Sequence, residues 1–99
     1  MPAEWELRGF GPCIADWIAT QPPSEWRKPV NRWVRGLRSD PFRGAERESA
    51  LDRPGWSGWF AEIPDVGNTL VAVVAYYGIS EVEPVVRCLA IESLPRNRG

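Results

Sequence analysis

The sequence predicts an α+β domain built from a short N-terminal strand, a helical hairpin and a three-stranded antiparallel meander. Three observations carry this reading. Trp26, Val30, Trp33, Val34 and Leu37 recur at helical spacing, the apolar period changes to two from Gly58 onward, and Leu70 to Tyr77 is one continuous apolar run of strand length. With 99 residues, 43% hydrophobic and 25% charged, the chain is long enough for one two-layer core and too short for two, so residues 1–99 form a single domain.

Trp5 to Phe10 alternates, with Trp5, Leu7 and Gly9 on one side and Glu6, Arg8 and Phe10 on the other, as a short edge strand does. Gly11-Pro12 breaks it. Pro12 suits the first turn of a helix running to about Thr20, with Ile14, Trp17 and Ile18 at helical spacing, and Pro22-Pro23 ends that helix. The second helix starts near Pro29, because an interior proline lacks a donor, and Ser24 to Lys28 forms an irregular or 3₁₀ lead-in. Ser39-Asp40-Pro41 closes it.

Phe42 to Gly55 is polar, with Arg43-Gly44 and Pro54-Gly55 as turn signals, and reads as a loop with at most one helical turn. Trp59, Ala61 and Ile63 then alternate with Gly58, Phe60 and Glu62, and Pro64 to Asn68 makes a turn. Thr69 to Tyr77 has the β-branched character of a central strand covered on both faces or nearly so. Gly78 to Glu83 turns the chain, and Pro84 opens a last strand with Val85, Arg87, Leu89 and Ile91 on one face and Val86, Cys88 and Ala90 on the other. Residues 94–99 read as a flexible basic tail.

Composition excludes whole classes of chemistry. There is no histidine, which removes the usual general base, the histidine-dependent triads and most zinc sites. Cys13 and Cys88 are far apart and belong to no C-x-x-C pair, so two free thiols are expected ahead of a disulfide, and neither a metal nor a cofactor is called for. No run reaches the length of a membrane span, and Met-Pro-Ala-Glu-Trp-Glu has no signal-peptide character, so the expected compartment is the cytoplasm. The net charge of −1 conceals segregation: residues 27–53 carry eight bases against four acids, while residues 1–26 and 54–95 are acidic. A one-sign face of this kind steers encounter with an oppositely charged partner.

The order strand, helical hairpin, three antiparallel strands resembles the small toxins of the RelE/ParE superfamily of bacterial toxin-antitoxin systems. The phrases that carry the resemblance are Val34-Arg35-Gly36-Leu37-Arg38-Ser39-Asp40-Pro41, Gly58-Trp59-Phe60-Ala61-Glu62-Ile63, Leu70 to Tyr77, and Val85-Val86-Arg87-Cys88-Leu89-Ala90-Ile91. The resemblance implies an antitoxin protein as partner and either a ribosomal messenger-RNA target, cut by the toxin, or a target such as DNA gyrase that is bound.

The leading expectation is a toxin-like protein that acts by binding its antitoxin and a macromolecular target, without chemistry of its own. The alternative is an endoribonuclease in which Arg87 holds phosphate and Tyr76 or Tyr77 supplies a phenol, and a third reading is a non-toxic interaction domain. Each residue also has a plainer reading: Arg87 as a strand residue paired with Glu62 or Glu92 or snorkelling to solvent, the tyrosines as packing aromatics. The tail brings no tyrosine, histidine or lysine. Arg27, Lys28, Arg32, Arg35 and Arg38, extended by Arg43 and Arg47, are expected to contact either phosphate or an acidic partner segment, or else to form a solvated face. Six tryptophans in so small a core cannot all be fully buried, which places some in a groove or interface.

Overall fold

The computed structural model describes residues 4–96 of the chain. Its elements are strand β1 (Glu6–Arg8), helix α1 (Phe10–Ala19), a 3₁₀ turn (Ser24–Trp26), helix α2 (Arg27–Gly36), strand β2 (Glu46–Arg47), a second 3₁₀ turn (Ser49–Leu51), and strands β3 (Trp56–Glu62), β4 (Val71–Ser80) and β5 (Val85–Pro95). The five strands form one mixed sheet in the order β1-β5-β4-β3-β2. β1 runs parallel to β5, and every other pairing is antiparallel. The architecture is α+β, with a wider sheet than the meander the sequence predicts. No helix among the described residues is long and apolar enough to cross a membrane.

Both helices put apolar side chains on one face of the sheet. Trp17 of α1, Val30 and Val34 of α2 and Leu37 at its C-cap meet Ala61, Val73, Ala75, Tyr77, Ile79, Val86, Cys88 and Ile91 in one buried cluster. The stripe read from the sequence is the stripe that is buried, with Trp26 and Trp33 at its half-exposed margins. α2 begins at Arg27, two residues before Pro29, because the N–H groups of a first helical turn have no intrahelical acceptor and a proline there loses nothing. The 3₁₀ lead-in is present at Ser24–Trp26.

Other boundaries also differ from the sequence reading. Phe10 is the first residue of α1 and lies in the core, so β1 stops at Arg8. The 42–55 segment is more than a loop: β2 pairs with β3, and Asp52 ties the segment down by accepting from Arg47 (2.7 Å) and from the Gly58 backbone N–H (2.6 Å). Gly78 does not begin a turn. β4 runs through it to Ser80, whose hydroxyl then caps the turn by accepting from Val82 and Glu83 N–H. Leu94 and Pro95 belong to β5, and Arg96 donates to Glu62 and to the Asn68 carbonyl, so the expected tail is anchored to Arg96; residues 97–99 lie outside the described residues.

The most consequential difference is a register shift in β5. Tyr77 pairs with Cys88 but Tyr76 pairs with Ala90, leaving Leu89 as an extra, half-exposed residue. A bulge of one residue inverts side-chain parity beyond it. Ile91 therefore joins Val86 and Cys88 on the core face, and Ala90 joins Arg87 on the opposite face, in place of the unbroken alternation expected from the sequence.

Candidate functional site

The second face of the sheet points away from both helices. Strand alternation places Trp56 and Phe60 of β3, Tyr76 and Gly78 of β4 and Arg87 of β5 on it, since their neighbours Ala61, Tyr77, Ile79, Val86 and Cys88 all enter the core. Gly58, Gly78 and Arg87 lie in one row across three strands. Neither glycine sends a side chain into that row: the Ser49–Leu51 turn covers Gly58, where a Cβ would stand 2.5 Å from Leu51 Cβ, and at Gly78 a Cβ would stand 3.4 Å from Trp56 Cε3. Trp56 leans over the gap, and the Arg87 guanidinium carbon lies 4.5 Å from its ring centroid.

Arg87 is held in this stack without a polar partner. Its Nε is buried and makes no hydrogen bond, and it takes part in none of the ion pairs among the described residues. Pairing with Glu62 or Glu92 is not what the structure shows: Glu62 binds Arg96 at 2.8 Å, and both acids belong to the row centred on Val74, four residues along β4 from Gly78. Stacking on an aromatic ring stabilises a cation by about 0.5–2 kcal/mol. A buried donor left unpaired costs about 1–3 kcal/mol. The two roughly cancel, so Arg87 gives the fold little; the buried Nε is out of a ligand's reach, and what Arg87 can offer is its terminal nitrogens, which make no hydrogen bond among the described residues.

Beside it, Phe60 and Tyr76 pair across the strands with ring centroids 6.4 Å apart and planes tilted by 34°. Three half-exposed aromatic rings thus share one face with one unpaired guanidinium. The two tyrosines named from the sequence separate here. Tyr77 is fully buried, edge-on to Trp33, and its hydroxyl donates to the Pro41 carbonyl at 3.0 Å. Burial, with a smaller push from Asp40, raises its phenol to about 12, so it is a structural residue. Tyr76 alone stands with Arg87.

The helix cations are elsewhere. Arg27, Lys28, Arg32, Arg35 and Arg38 are exposed on or just after α2, on the far side of the sheet from Arg87, so the strand arginine and the helix arginines do not form one site. Lys28, Arg32 and Arg35 follow one another at i, i+4 and i+7 and line a shallow hollow with Asn31. None of them meets a carboxylate among the described residues. Arg43 lies at the rim of a groove of about 460 Å³ below the end of α2. Arg47, by contrast, is used internally: it chelates Asp52 at 2.7 and 3.1 Å, donates to the Gly58 carbonyl and lies over Trp59. Asp52 and Arg47 reinforce each other, each hydrogen bond holding the carboxylate below its ordinary range and the guanidinium above.

Chemically, the open face can stack planar rings and hold an anion. For proton transfer it offers the Tyr76 phenol, whereas the Arg87 guanidinium presents donors only. Among the described residues no group of three or more metal-ligating side chains comes together. Cys13 and Cys88 are both free; Cys88 is buried, and burial and contact with Cys13 push its thiol up, making it unreactive. Of the six tryptophans only Trp17 is fully buried, and the other five are half-buried. The sequence puts Phe60 in a strand and Gly78 at a turn, counts Trp56 only among six tryptophans and gives none of the three a site role, although 56, 58 and 60 fall on one side of the period-two pattern. No protein-family model, curated protein or solved structure matches this chain.

Proposed function

We propose that this chain acts by binding, and that the open face of its sheet receives a single-stranded nucleic-acid segment, as the target contact of a toxin-like protein of RelE/ParE-like architecture. The observation that carries the reading is Arg87, stacked on Trp56 with a buried, unpaired Nε, next to the Phe60–Tyr76 pair. Base stacking on aromatic side chains is worth about 1–3 kcal/mol per base and tolerates any sequence. A guanidinium beside such rings supplies the phosphate contact.

The test uses fluorescence anisotropy with a labelled 12-nucleotide single-stranded RNA, over a salt series. Arg87→Met keeps an apolar stem over Trp56 and removes the charge. Binding should weaken about tenfold, the usual size of one charge-assisted contact, and lose part of its salt dependence, while the melting temperature stays level or rises because an unsatisfied donor is gone. Equal affinity in the variant would end this reading. A second reading, cleavage, has one observation in its favour: the Tyr76 phenol shares the face with Arg87. Intact RNA on a denaturing gel is expected, and cleavage abolished by Tyr76→Phe would establish the enzyme instead.

A further inference from the structure

The outer strand of the open face carries a second arginine. β1 runs parallel to β5 with Arg8 in register with Arg87, and Glu6 with Val85. Leu7, between Glu6 and Arg8, packs against the core cluster, so those two side chains project on the opposite side, where Arg87 and Trp56 lie. Arg8, Arg87, Gly78 and Gly58 therefore form one row across four strands. Neighbouring strands are about 4.8 Å apart, which sets two arginine stems side by side at the outer end of the row.

Like charges directly opposite one another destabilise a sheet, and here the fold meets only half of the repulsion. Glu6, two residues back on the same strand and the same face, engages Arg8 through Nε. The side chains of that pair are 55% and 57% exposed, so water screens the contact and an incoming anion replaces it readily. Arg87 has no carboxylate: its Nε is buried in the Trp56 stack, and its terminal nitrogens make no hydrogen bond among the described residues. Glu83, exposed in the turn before β5, enters no ion pair with either arginine among the described residues. Two neighbouring guanidinium groups thus share a single, exposed and displaceable counter-charge.

We infer that Arg8 and Arg87 hold one phosphate of the bound strand between them, and that Glu6 occupies Arg8 until that phosphate displaces it. A guanidinium matches a phosphate through paired N–H donors, and two of them on adjacent strands close on one phosphate from both sides. The phosphate then sits at the β1 edge, and the bases next to it run inward over Trp56, Tyr76 and Phe60. The inference rests on the nucleic-acid reading of the open face, and adds to it the position of the phosphate and an internal competitor for the charge that binds it.

The experiment is the anisotropy titration of the full chain with the labelled 12-nucleotide RNA, repeated with Arg8→Met, Glu6→Gln and the two combined. Arg8 and Glu6 are exposed and outside the core, so each variant should melt within about 2 °C of the wild type. Arg8→Met should weaken binding about fivefold to tenfold, as the loss of one charge-assisted contact does. Glu6→Gln should tighten binding about threefold by releasing Arg8, and the gain should vanish in the combined variant. Arg8→Met and Arg87→Met together should weaken binding by less than the product of their separate effects, because both hold the same phosphate. Unchanged affinity in Arg8→Met would overturn the inference. So would a gain from Glu6→Gln that persists without Arg8, which makes Glu6 only a repulsive charge, or arginine effects that multiply in full, which place the two on separate phosphates. Arg87→Met separates this inference from the reading beneath it: RNA that binds Arg87→Met unchanged ends both, whereas RNA that needs Arg87 but not Arg8 ends this inference alone. A 5′-phosphorylated copy of the strand identifies the phosphate: tighter binding that Arg8→Met abolishes assigns the strand terminus, equal binding an internal phosphodiester, and either result keeps the arginine pair.

Discussion

Tyr76 and Tyr77 are neighbours in the chain and opposites in the molecule. Tyr77 enters the helix-covered face, is sealed from solvent and spends its hydroxyl on the Pro41 carbonyl. Tyr76 enters the open face, lies half-buried against Phe60, and shares that face with an arginine whose Nε has no partner. The helix-covered face satisfies its polar groups internally, as burial requires. The open face leaves one cation without a polar partner among the described residues and three aromatic rings half-exposed. The difference teaches where to look for function: on the side of the sheet whose groups have hydrogen-bonding and stacking capacity left over.

The bulge at Leu89 decides which residues belong to which face, and testing that assignment gives the largest effect. Ile91→Asp would set a carboxylate in the core and the protein should fail to fold by circular dichroism and one-dimensional NMR, whereas Ala90→Asp, on the opposite face, should fold; unbroken alternation would reverse the two outcomes. Leu89→Thr keeps the extra residue and should change stability by no more than about 0.5 kcal/mol, since the side chain is 40% exposed.

Next in size is Tyr77→Phe, which leaves the Pro41 carbonyl buried without its donor and should destabilise the fold by about 1–2 kcal/mol in urea titration. The same residue sets an alkaline limit. Its phenol keeps its proton to about 12 in the folded state, whereas an unfolded tyrosine loses it near 10, so the native state binds more protons in between. This contribution is whole below pH ~10 and is lost as pH rises from there through the folded value. Stability of the wild type should fall over that window, and Tyr77→Phe should flatten the fall.

On the open face the sign of the comparison reverses. Tyr76→Phe should leave stability within about 0.5 kcal/mol, and Phe60→Ala should reduce RNA affinity by the equivalent of about 1 kcal/mol or more, the lower end for loss of one stacking platform. If Phe60→Ala unfolds the protein, the ring belongs to the core and the face is not free. The smallest effect is at Asp52. Its carboxylate is held below the ordinary range, chiefly by the hydrogen bond from Arg47, so it binds fewer protons in the folded state than in the unfolded one. That stabilisation is present above the ordinary aspartate value of about 4 and disappears as pH falls below it through the folded value. Asp52→Asn should therefore reduce the loss of stability measured on acidification below pH ~4.

Much of this was legible in the residues themselves. Val30, Val34 and Leu37 mark the buried side of α2 because a helix that must cover a sheet repeats its apolar residues every three to four positions. The 3₁₀ lead-in follows from Pro29, and the α+β class from the change of period after Gly58. The absence of histidine limits the chemistry whatever the fold. The sequence also places Tyr76 and Tyr77 on opposite faces, since strand neighbours must diverge, but not which of them is covered. Tertiary structure decided the rest, because it depends on pairing between distant segments. The Leu89 bulge exists only relative to β4. β2 is a strand only because β3 offers its edge, and Arg47 is withdrawn from the cationic set only because Asp52 and the Gly58 carbonyl lie beside it. Arg87 stacks on Trp56, 31 positions earlier, across a glycine of a third strand. A local pattern fixes which side chains share a face; which faces meet, and which polar groups are left unmet, is settled by contacts that no local pattern contains.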